Sequence, residues 1–298
     1  MDVNTAIGYV KIDKEDVELQ RKFIKWFTRC EDLCLSRFRW TLPPTCDNRT
    51  VERTLFYNGA VLIFQDKTNG RFYSLPFAQA SGDNMYDVPI KREAFADTGF
   101  RQLCDPSNSV VIYNRYSRMP EVRDISECAL ELAEIDASIT VNVYAQKTPY
   151  ILKGSKRRET TLKAIYKKIM KNSPALYLDN EMGTEDISVL NTEAPERYLT
   201  MRELLERKWF ETLNMMGIST ANSWKKERLV GAEAESADDL AEASRISRWM
   251  PRQDALEELL YKFPTFPWDV RYMYERDGDI YAKSESEVQN EPIHDGNL

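Results

Sequence analysis

The sequence predicts an α+β protein that is mainly helical. Two long stretches repeat apolar residues at three- and four-residue steps, the pattern of amphipathic helices, and the region between them contains short apolar runs separated by turn residues. The chain has 298 residues, of which 42% are hydrophobic and only 11 are glycine. It is therefore long enough to bury a substantial core, and its composition is that of a globular protein.

The first half is predicted to form one long helix followed by a β-containing region. Residues 16–40 place their apolar side chains on one helical stripe. The Leu-Pro-Pro sequence at 42–44 is expected to end this helix, because proline lacks the amide hydrogen that a helix interior requires. Between residues 55 and 112 short β-rich runs alternate with turns such as Asn-Gly at 69–70, which predicts strands.

The second half is predicted to contain two long helices that bracket a base-rich unit. Residues 124–146 keep one apolar stripe along a rod of about 33 Å, which the following Lys-Thr-Pro sequence should end. Residues 147–194 carry many bases. The next helix is expected to begin at a capping box formed by Thr200 and Glu203 and to end at Gly217.

A polar stretch at 221–244 then connects to the last predicted elements. Bases come first in this stretch and acidic residues follow, and a long connection of this kind is uncommon without a function. Residues 245–263 are predicted to be helical, with Pro251 at a start or a kink, and residues 268–277 to form a strand. The polar tail at 278–298 is predicted to be disordered.

The charge and cysteine content restrict the classes of function. A net charge of −7 argues against nucleic-acid binding over the whole surface, so any contact with DNA should be local. Five scattered cysteines do not form the pattern of a disulfide framework, which favours a reducing compartment. The sequence contains no apolar run of about 18–20 residues and does not begin like a signal peptide, so a soluble protein made in the cytoplasm is expected.

The residue pattern does not predict a catalytic, metal or cofactor site. The only histidine, His294, lies in the predicted disordered tail. Cys30 and Cys34 lie one helical turn apart with Cys46 beyond, but a zinc site needs a fourth ligand at a recognisable spacing, so core packing of the thiols is preferred. Neither a phosphate-binding loop nor a dinucleotide-binding glycine pattern is present.

Three glutamates share one face of the predicted helix at 124–146: Glu127, Glu131 and Glu134. They could act as the paired carboxylates of a hydrolase, or they could form a solvated helix face, and the solvated face is the preferred interpretation. A scaffold or assembly component is therefore the leading class, and an enzyme is not expected.

Five segments carry a resemblance to a known family: LPPT at 42–45, SVVIYN at 109–114, ALELAEI leading to NVYAQKTPYIL within 129–152, NTEAPE at 191–196 and SWKKERLV at 223–230. In the same order and at nearly the same spacings, they resemble the portal protein, also called upper collar or head-tail connector, of small phi29-like short-tailed bacteriophages. The resemblance extends from about Arg21 to about Asp277.

The resemblance implies a ring-forming portal fold with a wing, a helical stem and a small clip. By position, residues 1–123 and 238–277 correspond to the wing, 124–146 and 195–217 to stem helices, 147–194 to the clip and 218–237 to a channel loop. The implied protein is a dodecameric ring at one capsid vertex that forms the channel for DNA packaging and ejection and docks the packaging motor and the tail. Another ring-forming phage collar or tail-adaptor protein is the alternative.

The resemblance also implies partners and a location. The partners are further copies of the chain, double-stranded DNA bound without sequence specificity, the major capsid and scaffolding proteins, a packaging ATPase with or without a packaging RNA, and a lower collar or tail protein. No membrane is involved. The location is the head-tail junction of the virion, after synthesis in the host cytoplasm. Relatives can begin with a basic arm suited to RNA, whereas the first residues here are balanced to acidic.

Basic residues of the channel loop match positions that contact DNA in the family: Lys225 and Lys226, with Arg228 as a weaker third candidate. Asn191 and Thr200 stand where the family pattern can have lysine. DNA carries one charge per about 1.7 Å of duplex axis, so a uniformly basic channel would bind it rather than let it slide. The acidic residues that follow are expected to keep the rest of the loop from adhering: Glu233, Glu235, Asp238 and Asp239.

The clip carries the strongest positive charge. We expect its basic surface to bind an acidic partner, which is a motor component, an RNA or the collar protein of the tail; a solvated charged face is the alternative. The residues singled out for this role are Lys156, Arg157, Arg158, Lys167 and Lys168.

Overall fold

The computed structural model describes residues 8–13, 15–146, 150–152, 187–189, 197–219 and 231–274, without the side chains of 145–146, 150–152, 187–189 and 231–238. Within these ranges the helices are α1 (Val17–Ser36), α2 (Asn48–Asn58), α3 (Val122–Gln146), α4 (Tyr198–Met215) and α5 (Gly231–Lys262). The strands are β1 (Phe38–Thr41), β2 (Ala60–Gln65), β3 (Phe72–Leu75), β4 (Phe77–Asp83), β5 (Pro89–Phe95), β6 (Arg101–Cys104), β7 (Ser109–Tyr113), β8 (Tyr150–Leu152), β9 (Ile187–Val189) and β10 (Asp269–Tyr272). The predicted α+β class with a helical majority is confirmed.

The chain divides into two units. The larger unit comprises Met1–Ala133 and Arg207–Leu298, and the smaller unit comprises Glu134–Glu206. In the smaller unit, β8 and β9 pair antiparallel, with Ile151 opposite Ser188. Among the helices that the structure describes, none is both long and apolar enough to cross a membrane.

The core of the larger unit is built on both faces of a three-stranded antiparallel sheet in the order β3-β2-β7. Four consecutive residues of β2 are buried, because each face of the strand is covered. Val61 and Ile63 pack in a cluster with Leu259 of α5, whereas Leu62 and Phe64 pack in a second cluster that includes residues of the β4-β5-β6 sheet. The alternation of side chains along β2 therefore joins two cores.

The first helix ends earlier than the sequence predicts. α1 stops at Ser36, and residues 38–41 form a strand in which buried and exposed residues alternate. This strand pairs antiparallel with β10, with Phe38 opposite Tyr272. Tertiary pairing thus overrides the helical spacing of the last apolar residues. The strand predicted within residues 268–277 is confirmed as β10.

The helix α2, at residues 48–58, is not predicted by the apolar spacing of the sequence. Its N-terminus is capped by the Asp47 carboxylate, which accepts a hydrogen bond of 2.8 Å from the Thr50 amide. Its C-terminus is closed by Gly59 at a φ of +80°, and a Cβ on Gly59 would lie 2.7 Å from the Arg118 carbonyl oxygen. The aspartate before the helix and the glycine after it were the available signals.

The boundaries of the last two helices also differ from the predictions. α4 begins at Tyr198, so Thr200 lies inside its first turn, and the predicted capping box at Thr200 and Glu203 is wrong. α5 begins at Gly231, whereas the sequence predicts the helix from residue 245 and a channel loop up to residue 237, and it continues through Pro251.

Candidate nucleic-acid interface

Most of the side chains predicted to contact DNA or partners lie outside the described residues. This applies to the basic residues of the channel loop and of the clip: Lys225, Lys226, Arg228, Lys156, Arg157, Arg158, Lys167 and Lys168. The structure describes the two flanks of the channel loop, which are the end of α4 and the start of α5. These flanks determine where the loop is attached.

The acidic part of the predicted loop is helical. Glu233 and Glu235 fall in the first turns of α5 and Asp238 follows in the same helix, although their side chains are not described; Asp239 is exposed on α5. Alanine and glutamate favour helix, and carboxylates near a helix N-terminus interact favourably with its dipole. The composition that first indicated a polar loop therefore also suits a helix start.

Gly217 ends α4, as the sequence predicts. Its φ is +83°, the amide of Ile218 donates to the Leu213 carbonyl at 2.9 Å, and the amide of Gly217 donates to the Asn214 carbonyl at 2.9 Å. This pair of bonds is a Schellman motif, which satisfies carbonyl groups that the helix itself leaves without partners.

Two further residues bind the end of α4. The hydroxyl of Tyr272, on β10, donates to the Gly217 carbonyl at 2.7 Å. One terminal guanidinium nitrogen of Arg37, directly after α1, donates to the Met216 carbonyl at 2.6 Å. Both donor side chains are buried, and burial raises the pKa of Tyr272 to about 12, so its hydroxyl keeps its proton at neutral pH.

The backbone of α5 packs directly on Gly217. A Cβ at position 217 would lie 2.9 Å from both the backbone nitrogen and the Cα of Arg245, closer than real contacts of this kind. Glycine is therefore required here for two reasons, the left-handed conformation and the close approach of α5.

Arg37 belongs to a buried cluster of charges that we call the charge hub: Arg37, Glu52, Glu121, Arg248 and Arg252. Arg37 donates to both carboxylate oxygens of Glu121, at 3.2 and 2.5 Å, and the Nε of Arg248 donates to Glu121 at 2.8 Å. Glu121 immediately precedes α3, and its carbonyl accepts from the amide of Ile125. The start of α3, the end of α1 and the middle of α5 therefore meet at one carboxylate.

The second half of the charge hub joins α2 to α5. Arg252 donates to both carboxylate oxygens of Glu52, at 3.2 and 2.7 Å, and to the carbonyl of Asn114 at 2.9 Å. The indole nitrogen of Trp40, on β1, also donates to Glu52, at 2.9 Å. The buried carboxylate thus has three hydrogen-bond donors, as a charge in a low-dielectric interior requires.

The protonation of the charge hub follows from its geometry. Burial by itself raises the pKa of Glu121, but the positive charges of Arg248 and Arg37 and their hydrogen bonds outweigh burial and hold the pKa well below its usual range. Glu121 is therefore ionised throughout the physiological range.

The charge hub contains three arginines and two glutamates, an excess of one positive charge. The carbonyl ends of two helices face Arg37: its Nε donates to the Cys34 carbonyl near the end of α1, at 3.2 Å, and Nη1 donates to Met216 just beyond α4. Because the C-terminus of a helix carries partial negative charge, these two ends offset the excess.

Other sequence predictions can be compared with the described side chains. Glu127, Glu131 and Glu134 are exposed on α3, which confirms the solvated helix face. Glu131 forms an ion pair with Lys208 of α4. Cys30 and Cys34 are buried in the core as predicted, and burial raises the pKa of Cys30 to about 12. These thiols are therefore packing residues.

Sequence reasoning missed the charge hub. Arg248 and Arg252 lie one helical turn apart and are both buried, but their carboxylate partners are 127 and 200 positions away along the chain. The one local signal was the pair of arginines at this spacing, beside Trp249 and Met250 in a predicted helix.

The chain matches a sequence profile of phage connectors, so its class is that of a bacteriophage portal, or head-tail connector. The sequence profile of the Phage Connector (GP10) family matches residues 5–272, so the chain belongs to this family. The resemblance drawn from the sequence is thereby confirmed, and the family is one of structural proteins of the virion.

Three solved structures are similar over nearly the whole chain. The portal and tail of bacteriophage P68 match with 18% identity, 95% coverage of this chain, 99% of that chain and a TM-score of 0.49. An HK97 family phage portal protein from Corynebacterium diphtheriae matches with 9% identity, coverages of 93% and 100% and a TM-score of 0.48. The virion of a gene transfer agent matches with 9% identity, coverages of 99% and 97% and a TM-score of 0.43. The family assignment rests on the match over residues 5–272.

Proposed function

We propose that the protein assembles into a dodecameric ring at one capsid vertex and that DNA passes through the channel of the ring during packaging and ejection. The observation that carries the proposal is the attachment of residues 218–230, which we call the channel segment and which contain Lys225 and Lys226. The segment follows Gly217, which is tied to the larger unit, and it leads into α5 of the same unit. The bonds at Gly217 and the start of α5 therefore hold both ends of the channel segment.

The order of charges in and after the channel segment supports its contact with DNA. In a ring, one lysine per chain becomes a circle of lysines that meets the phosphates of passing DNA for a short time. The acidic first turns of α5, which carry Glu233 and Glu235, follow the bases and repel DNA from the surrounding surface. The channel segment thus offers local attraction within a protein whose net charge is −7.

The remaining parts of the chain are assigned by position. Residues 147–194 form the clip, whose bases bind an acidic component of the packaging motor, of the tail or a packaging RNA. Residues 1–123 and 238–277 form the wing and meet the capsid and scaffolding proteins, and residues 124–146 and 195–217 form the stem helices. The protein acts as a conduit and a docking platform, and it needs neither a catalytic residue nor a cofactor.

Electron microscopy of the purified protein tests the ring. End-on images in negative stain are expected to show rings with a central pore and twelvefold order. A stable monomer at micromolar concentration would contradict the proposal.

DNA retention tests the channel segment. Changing Lys225 and Lys226 together to alanine is expected to leave ring assembly and the start of packaging intact and to release the DNA packaged last. The matched control changes two exposed wing lysines, Lys67 and Lys91, to alanine. Full-length, stably held genomes in the channel variant would overturn the assignment of these lysines.

A further inference from the structure

One edge of β7 has no partner strand among the described residues. β7 is the last strand of the β3-β2-β7 sheet, and it pairs with β2 on one side only. In an antiparallel pair, every second residue exchanges hydrogen bonds with the partner strand, and the residues between them point their N–H and C=O groups away from it. Half of the backbone groups of β7 are therefore directed away from the sheet.

The hydrogen bonds at the two ends of the β2-β7 pair identify these residues. The Gln65 amide donates to the Asn108 carbonyl at 3.0 Å, and the Asn114 amide donates to the Gly59 carbonyl at 2.9 Å. The even-numbered residues of β7 therefore bond to β2. The backbone groups of the odd-numbered residues point to the open edge: Ser109, Val111 and Tyr113.

One end of the open edge is covered by side chains. The Ser109 carbonyl accepts from Arg92 at 3.3 Å and from Lys262 at 3.2 Å. Among the hydrogen bonds of the described residues, none involves the backbone groups of Val111 or Tyr113. Natural proteins cover or block such edges, because unpaired backbone groups bind other chains. The uncovered part of the edge can therefore accept a further strand.

Val111 and Tyr113 line a groove together with residues of α5. The groove has a volume of about 250 Å³, and Pro251, Asp254 and Ala255 line it from the helix. Several types of domain bind an extended peptide at an open strand edge. The peptide adds to the sheet as a strand, main-chain hydrogen bonds provide affinity, and contacts of alternate side chains provide specificity. The groove therefore has the form of a site for an extended segment.

Asp254 determines which side chain such a segment should carry. It is exposed, and it forms no ion pair with any residue that the structure describes. The other charged side chains of the groove already have partners, which are Lys262 for Glu258, Asp124 for Arg115 and two backbone carbonyls for Arg118. A lysine or arginine of the incoming segment would therefore complement the carboxylate of Asp254.

We propose that the groove between β7 and α5 receives an extended segment of a neighbouring copy of this chain. The segment adds to β7 as a strand and places a lysine or arginine beside Asp254. A closed ring of identical subunits requires two different surfaces on each copy, because the contact is head to tail. The groove is concave and supplies the receiving surface. The inference rests on the proposed assembly into a ring, and it specifies how neighbouring subunits join.

Hydrogen exchange at single amides tests the added strand. In rings of the purified protein, the amides of Val111 and Tyr113 should exchange about a hundredfold more slowly than in unassembled subunits separated by size-exclusion chromatography, because they gain hydrogen-bond partners. The amide of Ile112, which bonds to β2, is the internal control and should be protected in both forms.

The outcomes of the exchange experiment separate the inference from the proposed function. Fast exchange of Val111 and Tyr113 in assembled rings would overturn the inference and leave the ring intact. Protection that develops only after a capsid or tail protein is added would exclude a second copy as the occupant. If the purified protein forms no ring, the proposed function fails and the inference fails with it.

Charge reversal tests the pairing with Asp254. In Asp254→Lys, the concentration needed for ring assembly should rise about tenfold or more, because attraction becomes repulsion. The matched control is Glu257→Lys, since Glu257 is an exposed acid of the same helix that does not line the groove. Both variants should keep the wild-type melting temperature. Sedimentation velocity over a dilution series measures assembly, and equal assembly of the two variants would overturn the proposed occupant.

Discussion

Arg37 and Glu121 form a bidentate ion pair inside the larger unit, with nitrogen to oxygen distances of 3.2 and 2.5 Å. Their side chains are 2% and 0% exposed. Arg37 follows α1 and Glu121 precedes α3, so the pair fixes the end of one helix against the start of another. Such a pair is costly to break, because loss of one partner leaves the other charge buried without compensation.

Replacing Glu121 by glutamine is expected to lower the free energy of unfolding by about 3–5 kcal/mol. Arg37 and Arg248 would stay buried and lose the negative charge that faces both of them. Urea unfolding, followed by tryptophan fluorescence, measures the change. The control is Glu127→Gln, whose carboxylate pairs with Arg123 at the surface, where ion pairs contribute about 0–1 kcal/mol. Equal losses in the two variants would contradict the prediction.

Acid is expected to destabilise the larger unit through Glu121. Its pKa in the folded protein lies far below the ordinary value of 4.5, so the unfolded chain binds a proton more readily. The stability contributed by the pair is therefore fully present above pH 4.5 and is lost as the pH falls from there towards the folded pKa. Unfolding free energies measured between pH 7 and pH 2 should decline less steeply in Glu121→Gln than in the wild type. Parallel curves for the two proteins would argue against this source of acid sensitivity.

Gly217→Ala is expected to destabilise the protein by about 1–3 kcal/mol more than Gly99→Ala. Both glycines have a positive φ, +83° and +87°, so both variants incur backbone strain. Only at Gly217 would the new Cβ also meet the backbone of Arg245; at Gly99 no atom lies within 4 Å of the new Cβ. Thermal unfolding of the two variants separates the contact from the strain, and equal melting temperatures would show that α5 can move aside.

Reversing Arg157 and Arg158 to glutamate is expected to weaken binding of the acidic clip partner, because attraction becomes repulsion at the same positions. Co-sedimentation of the ring with the motor and with the tail collar, at low and moderate salt, measures the effect. A matched control reverses Arg49 and Arg123, which are exposed in the larger unit. Unchanged docking of both partners in the clip variant would favour the alternative, in which the basic surface of the clip contacts only solvent.

The elements that the sequence predicted well are those with a local signal. The helix at 124–146 has a long apolar stripe and is observed as α3, and Gly217 ends α4 because the left-handed conformation is a property of one residue. The strand within 268–277 likewise follows its β-rich composition.

The predictions fail where contacts between residues far apart in the sequence determine the local structure. Residues 38–41 continue a helical pattern but form a strand because β10 pairs with them, more than 200 positions along the chain. The charge hub could not be predicted for the same reason, since Glu52 and Arg252 meet only in the folded core. The start of α5 was misplaced because glutamate and alanine suit both a polar loop and a helix, and the tertiary setting selects the helix.

Because α5 begins early, at Gly231, only a short stretch of chain connects Lys225 to that helix. Lys225 lies six positions before Gly231, and an extended chain spans at most about 3.3–3.6 Å per residue. The Cα of Lys225 therefore stays within about 20 Å of the Cα of Gly231, whatever path the backbone takes. A helix that began at the predicted position, residue 245, would have allowed roughly three times that distance. Covalent geometry alone thus limits how far the backbone of Lys225 can lie from the start of α5.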